Sequence, residues 1–565
     1  MAEYIVDGGK TSTGIDLYEN DSMYIYDLGK ANETTLNYGG VMYVSAGGSA
    51  SETAVNSGGE LYVSAGGTAT QIRENGGYVE VMDGATAEFV ANTFGGSTFS
   101  NPDWPTVHSG TVASDLTLIN GACLEIFSAG IASNTTLNGG GSACVSVGGS
   151  ANVATVNSGG NLFVYAGGTA TQIKENGGCV DVKDGATVEF VPNTFGGSTF
   201  SDYGWHTVHS GTVASDLTLE NDACLEIYSG GIASSITLNY GGEALIYGNG
   251  VANGITVRDG GNIGVDVDGK LTGKMTFEAG ALFYAEIGAV LDFDLAQTVP
   301  DAETALVNNL SFILFEPFSY TLTADGTQEN GTYKLAEYAA DFGERTITVV
   351  NASDDRELGT ISLDGKTLYK HGKMYTLSLD GPTLAVTVDT APDNIFYGDV
   401  ENEEKTITSP MSAVNVNVND GGELTIYDGG VANNTVINEN GCLNVSEGGV
   451  ASNTTVNENG CLNISEGGVA SKTIVNEKGV LDAYDGGVAS DININAGFMQ
   501  VYDGGSANSA VIEAKGELLV SSNGKAEDIK VLNGGRRNTV FLLRAVPECQ
   551  EGQGRSHICA VRRFV

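Results

Sequence analysis

Residues 437–454, INENGCLNVSEGGVASNT, are the first of four successive copies of one sequence pattern. Residues 456–473 read VNENGCLNISEGGVASKT, residues 475–491 read VNEKGVLDAYDGGVASD, and residues 494–509 read INAGFMQVYDGGSANS. The period is 19 residues. Self-similarity at a fixed period of this size is the sequence signature of a protein built from stacked repeats.

Apolar and polar residues alternate within each copy. Leu443 and Val445 flank Asn444, and the same alternation returns in the following copies. This period-2 pattern predicts a short strand with one buried face. We expect two strands in each unit, at residues 442–446 and 451–456 in the first copy, separated by Gly-Gly or Asn-Gly corners.

A single unit of this kind cannot bury its apolar face, so successive units are predicted to stack as coils and to hydrogen-bond to the coils above and below. The sequence therefore predicts an all-β protein, a right-handed parallel β-solenoid with about 19 residues per coil that is interrupted by a small antiparallel β module. Residues 405–535 are expected to form about seven coils. Leu443, Leu462 and Leu481 should lie one above another in the core.

Four regions follow from where the repeat pattern holds and where it stops. Residues 1–290 carry solenoid repeats with an internal duplication at an offset of 101 residues, and residues 396–535 carry further repeats. Residues 291–395 lack the Gly-Gly pairs, and Asp-Gly and Asn-Gly turn signals there predict antiparallel hairpins. Residues 536–565 form an atypical basic tail. Two explanations of its composition are open: the tail contacts an acidic partner, or it results from an aberrant reading frame or a truncated gene end.

Asparagine recurs at the 19-residue spacing in three parts of the chain. Equivalent residues of stacked coils lie ~4.8 Å apart, so their amides can hydrogen-bond as a ladder. The alternative is that each asparagine occupies a left-handed turn conformation. The asparagines are Asn37, Asn56, Asn75, Asn138, Asn157, Asn176, Asn438, Asn457, Asn476 and Asn495.

The duplication carries the two tryptophans of the chain in related inserts. Residues 92–110 read NTFGGSTFSNPDWPTVHSG and residues 193–211 read NTFGGSTFSDYGWHTVHSG, both departing from the repeat pattern. An indole held at a coil edge beside polar residues can stack on a sugar, so Trp104 and Trp205 are candidate glycan-binding residues. The alternative is that each indole fills a small core within its own insert.

The composition narrows the class of partner. There are 80 glycines, and 26 basic against 70 acidic side chains give a net charge of -44. Such a charge repels phosphate backbones, so nucleic acid is not expected as a partner.

No apolar run reaches the ~18 residues of a membrane-spanning helix, so no integral membrane segment is expected. The first twenty residues have neither a basic nor an apolar region typical of a signal peptide, so no export signal is visible.

The repeat GGVASNTTVNENGCLNVSEGGVASNTTVN resembles the Gly-Gly repeats of AIDA-type autotransporter adhesin passengers, over residues 20–290 and 405–535. The resemblance implies a bacterial cell-surface or secreted adhesin, extracellular and associated with the outer membrane, that presents an acidic solenoid surface. Its partners would be glycans or proteins on the surface of a host or neighbouring cell. The family is sometimes O-glycosylated on serine and threonine of the repeats.

The competing class is a carbohydrate-active β-helix enzyme, a polysaccharide lyase or a glycoside hydrolase. Its best candidates are Asp266 and Asp268, which would share one face if both lay on a strand. His108, His206 and His209 accompany the tryptophans, but their spacing does not fit a zinc site. No motif of a catalytic nucleophile or of a phosphate-binding loop is present. We therefore predict that the protein is not an enzyme and has no catalytic residues.

No cofactor is expected, with calcium as a possible exception. Acidic residues recur in register at the corner before each Gly-Gly pair, which would place their carboxylates one strand spacing apart. A hard divalent cation would relieve their repulsion, whereas carboxylates in water can also fan apart and be screened by salt. The residues are Asp428, Glu447, Glu466, Asp485 and Asp503.

Cys442 and Cys461 are 19 residues apart and occupy the same position of adjacent coils. They are expected to lie close enough for a disulfide in an oxidising compartment.

Overall fold

A computed structural model describes residues 2–101, 103–201, 203–300, 303–513 and 515–532, together with the backbone of Thr539–Leu542. These residues form two compact units. The first comprises the described residues up to Thr323, with Lys334–Ile347 and Leu379–Ala385. The second comprises Ala324–Tyr333, Thr348–Ser378 and the described residues from Val386 onward.

Short strands make up nearly all of the first unit. Strands β1–β13 are Glu3–Val6, Thr11–Thr13, Asp16–Leu17, Ser22–Ile25, Lys30–Asn32, Thr35–Leu36, Val41–Val44, Ser49–Ser51, Ala54–Asn56, Glu60–Val63, Thr68–Asn75, Tyr78–Val81 and Thr86–Phe89. Strands β14–β26 are Asn92–Gly95, Thr98–Phe99, Thr106–Val107, Thr111–Ser114, Thr117–Leu118, Cys123–Ile126, Ile131–Leu137, Ser142–Val145, Ser150–Asn157, Asn161–Val164, Thr169–Asn176, Cys179–Val182 and Thr187–Phe190. Strands β27–β39 are Asn193–Gly196, Thr199–Phe200, Trp205–Val208, Thr212–Ser215, Thr218–Leu219, Cys224–Ile227, Ile232–Leu238, Glu243–Ile246, Val251–Val257, Asn262–Val265, Lys270–Phe277, Leu282–Ala285 and Val290–Asp294.

The rest of the chain continues with strands and two short 3-10 helices, Leu310–Phe312 and Ala340–Phe342. Strands β40–β46 are Ser319–Ala324, Gly331–Ala336, Ile347–Asn351, Glu357–Ile361, Thr367–Lys370, Lys373–Asp380 and Thr383–Thr390. Strands β47–β66 are Ile395–Val400, Glu404–Ile407, Ser412–Val418, Glu423–Ile426, Val431–Asn433, Val436–Ile437, Cys442–Val445, Val450–Ser452, Thr455–Val456, Cys461–Ile464, Val469–Ser471, Ile474–Val475, Val480–Ala483, Val488–Ile494, Phe498–Val501, Ser506–Ile512, Glu517–Val520, Lys525–Glu527, Lys530–Val531 and Thr539–Leu542.

The repeats wind as a parallel β-solenoid, which confirms the predicted architecture; the right-handed winding stays a prediction. Within each run of repeats, a strand pairs in parallel with its equivalent in the next coil. In the second unit Leu443 pairs with Leu462, which pairs with Leu481, and all three side chains are buried. The leucines therefore form the predicted stack.

The second predicted strand of the first copy needs a correction. Residues 451–456 were expected to be continuous, but Val450–Ser452 and Thr455–Val456 are separate strands. Asn453 lies between them with a φ of 53°, and its left-handed conformation turns the chain. The equivalent residue of the next coil, Lys472, has a φ of 52°. The coils of Asn453 and Lys472 therefore bend at a third place that carries no glycine.

The two glycines of a corner have different roles. Gly448 has a φ of 81°, a conformation that costs glycine little. At Gly449, a Cβ atom would collide with the carbonyl oxygen of Ile426 in the preceding coil. Gly448 thus allows the turn, and Gly449 allows the two coils to approach each other closely.

The asparagines form the ladder rather than the left-handed turns. Asn56 Nδ2 donates to Asn37 Oδ1 at 3.0 Å, and Asn75 Nδ2 donates to Asn56 Oδ1 at 3.0 Å. Asn457 and Asn476 donate in the same way, each at 2.9 Å, to the asparagine of the preceding coil. The left-handed conformation belongs instead to other residues of the corners, such as Asn440 and Asn459.

A disulfide joins Cys442 and Cys461, whose Cα atoms are 4.7 Å apart, in agreement with the expectation from their spacing. In the intervening stretch, β44 and β45 pair antiparallel, as the turn signals indicated, whereas β40 pairs in parallel with β39 and continues the solenoid sheet. The domain boundaries at residues 290, 395 and 535 stay predictions. The basic tail lies outside the described residues, apart from the backbone of Thr539–Leu542, which pairs in parallel with Glu517–Val520.

The described residues contain no helix long and apolar enough to cross a membrane.

We predict that Leu462→Ala lowers the free energy of unfolding by about 2–5 kcal/mol, because it opens a cavity between two stacked leucines. Urea denaturation measures this change. The matched control is Ile474→Ala, which truncates a side chain that is exposed in the same unit. Equal effects of the two substitutions would contradict the stacked core.

Candidate functional site

The two tryptophan-bearing inserts mark breaks in the solenoid of the first unit. Strands β1, β4, β7, β10 and β12 form one five-stranded sheet, which ends just before the first insert. The next sheet on this side contains β16, β19, β21, β23 and β25, and the second insert separates it from the sheet of β29, β32, β34, β36 and β38. Asn92, at the start of the first insert, donates to Asn75 Oδ1 at 3.0 Å and so continues the asparagine ladder across the break.

A buried carboxylate fixes the point where the first insert returns to the solenoid. Glu74, on β11, is fully buried and pairs in register with Val55 of the preceding coil. Its Oε1 accepts from Thr106 Oγ1 at 2.8 Å and lies 2.7 Å from His108 Nδ1, while its Oε2 accepts from the His108 backbone N–H at 2.8 Å. The carboxylate thereby joins the coil before the insert to the coil after it.

The second insert repeats this arrangement. Glu175 is fully buried, accepts from Thr207 Oγ1 at 2.7 Å and from the His209 backbone N–H at 2.8 Å, and lies 2.7 Å from His209 Nδ1. His209 is stacked between Phe190 and Tyr228, with ring centroids 4.5 Å away on both sides.

Sequence reasoning missed these carboxylates, although a signal was present. Ile72 and Glu74 are two residues apart on one strand, so the alternation that buries Ile72 also buries Glu74. His108 and His209, whose spacing does not fit a zinc site, each contact a glutamate carboxylate. Their structural partner lies 34 residues earlier in each copy, on the far side of the insert.

Both tryptophans are exposed rather than packed into the inserts. The exposed fraction is 52% for Trp104 and 56% for Trp205. Trp104 lies just before β16, and Trp205 begins β29, the equivalent strand of the second copy. The alternative in which each indole fills a local core therefore does not hold.

Trp104 closes one end of a groove of about 790 Å³ across β4, β7, β10 and β12, called the first groove. Its wall is a column of tyrosines. The ring centroids of Tyr24 and Tyr43 are 5.1 Å apart, and those of Tyr43 and Tyr62 are 5.0 Å apart, both pairs nearly parallel. Tyr78 follows at 5.7 Å from Tyr62 with a tilted ring.

Carboxylates interleave with this column. Tyr62 Oη donates to Glu60 Oε2 at 2.7 Å, and Tyr78 Oη donates to Glu80 Oε2 at 3.3 Å. Burial, together with Glu80, raises the pKa of Tyr78 to about 12. The phenol therefore keeps its proton at neutral pH, and the groove presents neutral hydroxyls beside carboxylate oxygens. Asp103 adds a further carboxylate next to Trp104.

Trp205 borders a second groove, of about 960 Å³, lined by Phe163, Asp181, Tyr203 and Tyr228 among others. Glu226 is largely buried in the lining of this groove and accepts from Tyr228 Oη at 2.8 Å and from Tyr247 Oη at 3.1 Å. The two grooves occupy equivalent positions of the duplication but differ in side chains. Phe163 stands where the first groove has Tyr62, and Cys179 stands where it has Tyr78.

The acidic corner has the predicted register. The backbone N–H of Asp428 donates to the carbonyl of Glu447, and that of Glu447 to the carbonyl of Glu466, at 3.0 and 2.9 Å. All five predicted side chains are exposed: Asp428, Glu447, Glu466, Asp485 and Asp503. Among the described residues no group of three or more His, Cys, Asp or Glu side chains has an arrangement that could hold a metal ion. Calcium binding at this edge stays a prediction.

Asp266 and Asp268 do not share a strand face. Both follow the end of β36, and Asp268 occupies a corner with a φ of 59°. The paired carboxylates considered for an enzyme therefore lie in a turn, not across a cleft.

Residues 19–77 and 409–460, about a fifth of the chain, match the family described as AIDA, adhesin of bacterial autotransporter system, probable stalk. The chain carries AIDA-type autotransporter adhesin repeats. The crystal structure of a TibC-catalyzed hyper-glycosylated TibA fragment is similar at 20% sequence identity, covering 93% of this chain and 100% of the fragment, with a TM-score of 0.16. No match is found among curated proteins.

The AIDA-type match in the first unit includes most of the first groove. Tyr24, Tyr43 and Tyr62 lie within residues 19–77, whereas Tyr78, Glu80 and Trp104 lie beyond them. The tyrosine column is thus built on AIDA-type coils, and the insert adds the tryptophan at its end.

We predict that His108→Ala lowers the free energy of unfolding by about 3–5 kcal/mol, because Glu74 is then left buried without its imidazole partner. Urea denaturation, with hydrogen exchange at β11 amides, measures the change. Asp7→Asn is the control, since it removes the exposed Lys10–Asp7 pair and should cost less than about 1 kcal/mol. A loss no larger than that of the control would show that the buried pair contributes little.

For the acidic corner we predict that millimolar calcium raises the melting temperature and that Glu447→Gln with Glu466→Gln abolishes the rise. The charge-matched control is Glu439→Gln with Glu477→Gln, which removes two exposed carboxylates outside the predicted calcium set. A melting temperature that does not differ between calcium and chelator refutes the calcium hypothesis.

Proposed function

We propose that this chain is the non-catalytic, adhesive part of a bacterial surface protein and that its two grooves bind glycans of a host or neighbouring cell. The AIDA-type repeats support an adhesin-like autotransporter passenger, which acts outside the cell. Association with the outer membrane and secretion are part of the same proposal. The net charge of -44 favours a soluble, extended surface and disfavours nucleic acid as a partner.

One observation carries the glycan part of the proposal: two indoles in duplicated positions are half exposed, and each borders a groove. Exposing a large aromatic ring to water is unfavourable, and an exposed apolar surface inside a concave site is typical of ligand binding. A sugar has an apolar face that fits an indole and hydroxyls that need acceptors. Glu60 and Glu80 supply acceptors beside Trp104, and Asp181 supplies one beside Trp205.

The tyrosine column suits the same ligand. The stacked rings of Tyr24, Tyr43 and Tyr62 cover one another's faces, so the column presents ring edges and hydroxyls to the groove. The indole of Trp104 is therefore the aromatic face left for stacking. The site then has one apolar ring face, that of the indole, and a row of polar groups. Together they fix the orientation of a bound sugar.

The enzyme alternative lacks a comparable arrangement of residues. Its best candidate pair, Asp266 and Asp268, lies in a corner. In the grooves, Glu60 and Glu80 accept hydrogen bonds from neighbouring tyrosines and serve as acceptors. The description of the matched family as an adhesin also favours binding over catalysis.

We predict that the protein binds glycans on a panel of neutral and acidic polysaccharides, and that Trp104→Ala with Trp205→Ala reduces the bound signal at least tenfold. The fold should be unaffected because both indoles are exposed. Tyr240→Ala is the control, since it removes an exposed aromatic ring that lines neither groove.

Two results would contradict the proposal. Binding that persists in the double tryptophan variant would place the site elsewhere. Release of reducing ends or unsaturated uronates from any polysaccharide of the panel would favour the enzyme alternative.

A further inference from the structure

The two grooves lie along one line of the first unit. Trp104 immediately precedes the sheet β16–β19–β21–β23–β25, and the second groove is built partly on β23 and β25 of that same sheet. Each pairing along this sheet is parallel and in register. The surface between the grooves is therefore continuous and regular.

The separation of the indoles follows from this ladder. Four pairings lead from β16 to β25. A fifth step leads to β29, since the Thr207 N–H donates to the Gly178 carbonyl at 3.1 Å. Five steps of parallel-strand spacing place Trp104 and Trp205 about 24 Å apart along the coil axis.

The side chains between the two sites leave the path open. Cys123 and Ser142 begin β19 and β21 and are half-buried, as are Glu125 and Cys144 on the same outward face. None is a large exposed ring. A ligand that extends from one indole to the other therefore meets no large exposed side chain at these positions.

The charges along this path select the kind of ligand. Glu60, Glu80 and Asp103 line the first groove, and Asp181 and Glu226 line the second. Lys183 is the basic residue of the second groove and is paired with Asp181 at 2.6 Å. A polyanionic glycan would face repulsion at both ends, whereas an uncharged one would not.

We propose that Trp104 and Trp205 bind one linear, uncharged polysaccharide at two points at the same time. Because the ladder between the indoles is regular and in register, the ligand is an extended chain, the shape that β-1,4 linkage gives. This inference rests on the proposed glycan binding and adds the geometry of the ligand. A chain that reaches both grooves makes the second contact intramolecular, so its affinity exceeds that of either groove alone by about 10²–10⁴-fold. A chain too short to span about 24 Å gains nothing.

The test uses the full-length protein and β-1,4-linked glucose and N-acetylglucosamine oligosaccharides of graded length, with calorimetry as the readout. Short oligosaccharides should bind weakly to two sites per chain. Affinity should rise at least tenfold at the length whose extended chain reaches about 24 Å, with one ligand bound per protein. Trp104→Ala or Trp205→Ala alone should remove this rise and leave weak binding at one site.

A change of spacing gives an independent check. Deleting residues 119–137, which line neither groove, removes one coil between the two indoles and should shorten the threshold length by about 4.8 Å. Deleting residues 476–494 removes one coil from the second unit and should leave the threshold unchanged. Both deletions remove 19 residues and keep the repeat in phase.

Three outcomes overturn the inference. Affinity that does not depend on length would mean that the grooves act separately, while glycan binding itself would stand. A threshold that stays the same when residues 119–137 are deleted would mean that the rise has another origin. Absence of binding to both oligosaccharide series refutes this ligand class, and the glycan panel with the double tryptophan variant then decides whether the grooves bind glycans at all.

Discussion

In-register hydrogen bonding between successive coils is the constraint on which the rest of the molecule depends. The N–H of Cys442 donates to the carbonyl of Gly422, and the N–H of Cys461 donates to that of Gly441, each at 3.0 Å. Because the chain returns to the same place after one coil, every side chain lies over its equivalent at the strand spacing of ~4.8 Å. Residues that pack or hydrogen-bond well with copies of themselves are then favoured. Leucine fills the core in this way, asparagine forms the ladder, and tyrosine forms the column of the first groove.

The inserts show how the solenoid tolerates a break in this register. An insert interrupts the ladder on the β12 side, yet the asparagine ladder continues from Asn75 to Asn92. Glu74 replaces an apolar core residue at the break, and Thr106 and His108 satisfy its oxygens. A buried carboxylate with three partners accepts few alternative arrangements, so it fixes where the insert returns. The insert is thereby anchored on both sides, and the indole between these anchors is held at the end of the groove.

Much of the fold could be predicted from the sequence because the 19-residue period determines which residues of successive coils lie over one another. The 19-residue spacing and the alternation around Asn444 were enough to place Leu443, Leu462 and Leu481 in one stack. Periodicity could not separate a ladder of asparagines from a row of left-handed turns, since both repeat at the same spacing. The bend at Asn453 was missed because no glycine marks it. Glu74 and His108 were not paired because their contact crosses an insert, where the period no longer relates sequence separation to distance. For the same reason, the sequence does not decide whether the tryptophans are exposed.

The stacking of each side chain over its equivalent in the next coil also explains where the carboxylates of the grooves lie. Two carboxylates ~4.8 Å apart in water repel by about 0.9 kcal/mol, so an acidic residue is unfavourable directly above another acidic residue. Glu60 is in register with Val41 and Tyr78, and Glu80 is in register with Tyr62. The carboxylates of the first groove therefore stand beside tyrosines, which donate to them, and not over one another. At the exposed corners, acidic residues do recur in register, and there water and salt screen them. The sheet face of the first groove thus combines acceptors and aromatic rings without placing one carboxylate directly over another, and such a face favours a ligand that is uncharged, rich in hydroxyls and long enough to follow the coils.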